Sequence, residues 1–183
     1  MESYKNLGVL ALGVFWFTTV CMIRYLKGDK AKSISEHVAS SVKVGVIFGA
    51  VGLLSSALLG AFFIKWFTPT FHLGLVFNSL IVAIWVLFGI AGIVPDKKGY
   101  AHKVHINAAL LASILLIPAM LLIVKSRYVG HNARLFTASA LFFMIYIAYQ
   151  YIRSNKIQKK FLIYEALYFL CCDLSILIVT YTH

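Results

Sequence analysis

The sequence predicts an all-α protein, a polytopic membrane bundle of six transmembrane helices with both termini outside the cytoplasm. Three observations predict it. Of 183 residues, 61% are hydrophobic and only 13% are charged, with a mean hydropathy of +0.88. An ordinary soluble domain is about 45–50% apolar and about 25% charged. Charges punctuate the chain, leaving uncharged runs at Asn6 to Ile23, Val44 to Ile64, Trp66 to Pro95, Val104 to Val124 and Leu135 to Ile152. Each run is continuously apolar, so the short alternating strands of a membrane β-barrel are excluded.

The elements follow in order, because a helix needs about 20 apolar residues to cross the hydrocarbon core. Span 1 covers 7–24 and is followed by a basic loop. It has no small-x-small cleavage site and reads as a retained anchor rather than a signal peptide. Span 2 covers 42–64. A loop over Trp66 to Thr70, broken by Pro69, is expected to lead into span 3 at 71–94. Span 4 covers 104–124 and span 5 covers 135–152. Span 6, 161–181, is interrupted by Glu165 and Asp173 and is otherwise apolar. All six belong to one domain, residues 1–183.

Orientation is read from Lys and Arg. Arg24, Lys27, Lys30, Lys32, Lys97, Lys98, Lys103, Arg153, Lys156, Lys159 and Lys160 fall in one set of loops; Lys5, Lys65, Lys125, Arg127 and Arg134 fall on the other side. The positive-inside rule puts the first set in the cytoplasm of a plasma-membrane protein. The net charge of +11 is mostly this asymmetry. It fits attraction to anionic lipids, and no other feature points to nucleic acid. Cys21, Cys171 and Cys172 all sit in spans and imply no disulfide framework.

Packing signals are fewer. Gly45, Gly49, Gly52, Ser56 and Gly60 form a stripe of small residues on span 2. In lipid such a stripe permits close backbone approach, within the monomer or across a dimer seam; monomer and homodimer stay open. Pro118 is expected to release a backbone carbonyl and bend span 4. Tyr146, Tyr149, Tyr151, Tyr164 and Tyr168 read as an interfacial aromatic belt, or as the lining of a polar pocket.

Polar residues gather on the basic side. Ser33 and Glu36 have the spacing of a capping box, which would start a helix near Ser33. The alternative is a site, since Ser33 and His37 are one helical turn apart and Ser35 and Lys43 lie close in sequence. The loop between spans 3 and 4 adds Asp96, His102 and His105 on the same side. His37, His102 and His105 with Asp96 offer three imidazoles and a carboxylate, an inventory that suits zinc. Glu165 is expected near the cytoplasmic end of span 6, paired with Lys43 or Arg24. Asp173 lies deeper, where an ionised side chain costs about 2.5–3.5 kcal/mol on insertion scales. It reads as a buried tie to Ser55, Ser56 or Asn78, or as a ligand or proton site. No nucleophile elbow, HExxH, Walker loop or dinucleotide fingerprint is present.

Three short elements carry a family resemblance: Ile34-Ser35-Glu36 after span 1, Gly92-Ile93-Val94-Pro95-Asp96 at the end of span 3, and His105-Ile106-Asn107-Ala108-Ala109 opening span 4. Span 6 also opens with an acidic residue, Glu165. The chain resembles the prokaryotic six-helix membrane family known as domain of unknown function 998. More distantly it is similar to six-helix proteins of the autophagy-modulator and lipid-remodelling type. The resemblance implies a six-helix bundle, hints at lipids, and marks Ser35, Glu36, Asp96, His105 and Glu165 for testing.

Three functions from different classes follow. The first is binding or handling of a lipid or small amphiphile at the cytoplasmic end, with Lys43, His102 and His105 meeting an anionic head group. The second is an intramembrane metal-dependent hydrolase, because Ser33 to His37 followed by Asp96 and a histidine pair is loosely similar to the zinc arrangement of the alkaline ceramidase and adiponectin-receptor superfamily. The third is a transport or substrate-capture subunit, for which six helices in about 180 residues is a suitable size.

Overall fold

The computed structural model describes residues 2–27, 32–94, 99–153 and 160–182. Every element among them is helical. The order is α1 (Glu2–Tyr25), α2 (Ile34–Ala39), α3 (Val42–Phe62), a π-helical turn (Phe63–Phe67), α4 (Thr68–Phe71), α5 (Gly74–Ile93), α6 (Tyr100–Lys125), α7 (His131–Arg153) and α8 (Phe161–Tyr181). Six continuous stretches are long and apolar enough to cross a membrane: Ser3–Tyr25, Val42–Phe71, Gly74–Ile93, Tyr100–Lys125, His131–Tyr151 and Phe161–Tyr181. The protein is therefore an all-α, multi-pass membrane protein. Alternate spans run in opposite directions. The C-terminal end of α1, all of α2 and the N-terminal ends of α3, α6 and α8 thus share one end of the bundle, the α2 end.

The second span departs from expectation. Trp66 to Thr70 is not a loop, because the helix runs on through the π turn into α4. The physical reason lies at Pro69. Its ring would clash with the carbonyl one turn back and it has no amide to donate. The π turn widens the coil just before it, and the Thr68 amide reaches the Phe63 carbonyl. The chain reverses later, at His72 (φ +50°) and Gly74 (φ +74°). There the Leu73 amide bonds to the Thr68 carbonyl at 3.2 Å and the His72 amide to the Pro69 carbonyl at 3.4 Å, a Schellman-type ending with His72 in the left-handed position. The Ser126 hydroxyl donates to the Phe71 carbonyl at 2.7 Å, satisfying one of the acceptors the helix end leaves over.

This segment forms the core. Phe62, Phe63, Trp66, Phe67, Phe71 and Phe77 are buried together and join Met120 and Ile123 of α6 and Met144 of α7. At the same end Lys5 lies over the rings of Trp66 and Tyr181, and the Tyr181 hydroxyl donates to Asn6 at 3.1 Å. These contacts draw the two chain ends together.

Helix neighbours are set by small residues and polar ties. α1 lies along α3, α5 along α6, and α7 between α6 and α8. The glycine stripe of α3 seats a neighbour only in part. A methyl at Gly60 would fall 2.0 Å from the Trp85 ring of α5, whereas methyls at Gly49 and Gly52 would meet nothing within 4 Å. The expected continuous seam is therefore one close approach, and α3 has open space beside Gly49 and Gly52. Gly60→Ala should cost about 1–3 kcal/mol by displacing Trp85, while Gly49→Ala should leave stability unchanged. Unfolding midpoints of the two variants in detergent check the contrast.

Pro118 lies inside an unbroken α6. Near it, the Tyr168 hydroxyl donates to the Ser113 carbonyl at 2.5 Å, fastening α8 to α6. Tyr168 is thus a buried tie at 7% exposure rather than part of a belt, whereas Tyr146, Tyr149 and Tyr151 are exposed.

Candidate functional site

The α2 end is built around the first turn of α2. A helix start leaves backbone donors without intrahelical partners, and here side chains meet several of them. The Ser33 hydroxyl accepts the Glu36 amide at 3.0 Å, and the Glu36 carboxylate accepts the Ser33 amide at 2.7 Å. This is the reciprocal capping box the spacing predicts. The Ser33 and Ser35 hydroxyls share a hydrogen bond of 2.8 Å. The Ile34 amide is met from outside: it donates to the Glu165 carboxylate of α8 at 2.8 Å. A backbone group is therefore the partner at Glu165 Oε2, where the sequence suggested Lys43 or Arg24. An acid near a helix N-terminus also complements the helix dipole.

His37 is buried and its Nδ1–H donates to the Ser33 carbonyl at 2.7 Å, which also receives the His37 amide at 3.2 Å. At the other end of α2 the Ser40 hydroxyl donates to the His37 carbonyl at 2.7 Å. Apolar contacts hold the helix from below. Ile34 packs with Met22 of α1, Val44 of α3 and Leu162 of α8, and Leu26, Val38 and Phe48 close around them. α2 is thus wedged among three spans, with Glu165 bonding across to it.

His105 does a parallel task in α6. It is buried, and its Nδ1–H donates to the Val94 carbonyl at 2.9 Å, capping the end of α5. His102 is half-buried one turn earlier and Lys43 is exposed on the first turn of α3. Asp96 lies outside the described residues. Among the described residues no group of three His, Cys, Asp or Glu side chains is placed to hold a metal ion. The expected convergence of His37, His102 and His105 is therefore not what the fold builds. His37 is anchored at the start of α2 through the Ser33 carbonyl and His105 after α5 through the Val94 carbonyl, so the two rings are placed by separate elements.

Asp173 stands apart from this end. Its Oδ2 accepts the indole N–H of Trp16 at 2.8 Å, joining α8 to α1. The expected partners are engaged elsewhere or elsewhere placed. Asn78 accepts the Thr68 hydroxyl at 2.8 Å, and the Ser55 hydroxyl is buried without a hydrogen bond among the described residues. No motif in the sequence marks Trp16. Its one signal is depth: tryptophan favours the membrane interface, yet Trp16 sits well inside Ser3–Tyr25.

The sequence-predicted residues thus divide into three places: Ser33, Ser35, Glu36, His37 and Glu165 in one network, His105 at the end of α5, and Asp173 inside the bundle. Set against family models, curated proteins and solved structures, the chain finds no match.

Proposed function

We propose that the protein binds or handles a lipid or small amphiphile with an anionic head group at the α2 end, which is its cytoplasmic face. The observation that carries this is the position of α2. The short helix is wedged against apolar side chains of α1, α3 and α8, with Lys32 just before it and Lys43 just after it. Arg24, Lys103, Arg153 and Lys160 also lie at the ends of spans that meet there. Such a surface offers cations at head-group level and apolar helix faces beneath them. Each Lys or Arg near an anionic membrane surface contributes about 1 kcal/mol.

The orientation belongs to this proposal: the basic end faces the cytoplasm of the plasma membrane and both termini lie outside. Native mass spectrometry in gentle detergent tests the head-group reading, with phosphatidylglycerol and phosphatidylcholine as competing probes. Phosphatidylglycerol should be retained in preference, and Lys32→Ala with Lys43→Ala together should lower its retention by about thirtyfold. Equal retention of the two lipids, or a double variant indistinguishable from the parent, would remove the proposal.

A further inference from the structure

The Asp173–Trp16 pair lies far from the α2 network and does not depend on the head-group reading. About 12–14 Å of helix separates each residue from the nearer end of its span, which places both close to the middle of a hydrocarbon core. The indole N–H is the hydrogen-bond donor that Asp173 has among the described residues, and it reaches only Oδ2. The other oxygen takes no hydrogen bond there, and both side chains are half-buried rather than enclosed. An indole supplies a dipole and no positive charge. An uncompensated charge is costly at that depth, so the second oxygen is open to a partner that supplies a positive charge, a proton or a cation.

The neighbourhood specifies the kind of cation. Phe15 packs edge-on against Trp16, with ring centroids 5.9 Å apart, and Phe48 of α3 packs on Phe15 at 5.8 Å. A carboxylate held by an indole, with two further rings packed in series behind that indole, suits an ammonium group carried on an apolar body. The charge pairs with the carboxylate, and ring faces attract the N–H or N–CH₃ groups around it. A metal ion would find no group of three His, Cys, Asp or Glu side chains among the described residues to hold it. Half-burial leaves a route to the pair from the membrane side: Phe17 is 72% exposed next to Trp16, and Leu174 next to Asp173 is also exposed.

We propose that Asp173 and Trp16 form an intramembrane binding site for the ammonium group of an apolar amine. The indole N–H fixes one carboxylate oxygen so that the other faces the ligand. The amine can come from water or from the membrane, and two probes separate these sources: 2-phenylethylamine is soluble, whereas dodecylamine partitions into lipid.

The test is native mass spectrometry of the full chain in gentle detergent, with 2-phenylethanol and dodecanol as neutral counterparts. One amine per chain should bind at least tenfold more tightly than its matching alcohol. Retention of both amines would indicate a site reached from water, and retention of dodecylamine alone a site reached from lipid. Asp173→Asn keeps an oxygen for the Trp16 N–H and loses the charge, so its preference for amine over alcohol should vanish. Amine and alcohol binding alike in the parent protein would overturn the proposal, and this comparison stands even where the variant does not fold. A folded Asp173→Asn that keeps the amine preference would overturn it equally, since the carboxylate would then play no part.

Discussion

Phe67→Ala is expected to lose about 3–5 kcal/mol of stability, the cost of emptying a fully buried aromatic site. Phe67 is 0% exposed and sits in the π turn, with ring centroids of Phe71, Phe62, Phe63 and Phe77 between 4.9 and 6.0 Å away. Removing its ring opens a cavity that these neighbours fill poorly, because each is itself buried and held in the same core cluster. Phe142 is 80% exposed on α7, and Phe142→Ala should leave the unfolding midpoint in place. Denaturation by SDS in mixed micelles measures both. A Phe67→Ala midpoint equal to that of Phe142→Ala would show that hydrogen bonding around the π turn and Pro69, rather than the ring cluster, holds that part of span 2.

Glu165→Ala should release α2 from the bundle. The variant removes the acceptor of the Ile34 amide. A hydrogen bond to a charged group contributes about 1.5–3 kcal/mol, so amide exchange at Ile34 to His37 should speed up by about tenfold to a hundredfold. Glu165→Gln keeps a carbonyl oxygen in place and should show a smaller acceleration. The global midpoint should move less than local exchange, because α2 has only six residues and the apolar contacts of Ile34 remain. Exchange unchanged in Glu165→Ala would mean that the apolar contacts with Met22, Val44 and Leu162 hold α2 without help from the Glu165 carboxylate.

Much of the candidate site was legible in the sequence where the interaction is local. Ser33 and Glu36 meet through backbone amides three residues apart, so their spacing predicts the capping box. The long-range pairs were not legible. Glu165 bonds to an amide 131 positions away and Asp173 to an indole 157 positions away. Composition gives a buried carboxylate a need for a partner, but every span presents several candidates and only helix packing chooses among them. The histidines misled for a related reason. Their spacing allows a shared ligand, whereas the fold anchors His37 at the Ser33 carbonyl beside α2 and His105 at the Val94 carbonyl after α5.

The sequence by itself determined that this is a six-helix membrane protein. The hydrocarbon core imposes length and apolarity on every span, and each span must satisfy its own backbone. It also determined the start of α2, through a cap that acts over three residues. Tertiary structure decided where span 2 ends. Pro69 marks a break in any single-chain reading, but a π turn absorbed it and moved the reversal to His72 and Gly74. Tertiary structure also decided which glycine of α3 is a contact, and which donors answer Glu165 and Asp173. Such choices depend on which helices become neighbours, and in lipid that is settled by the fit of side chains across spans rather than by the hydrophobicity they all share.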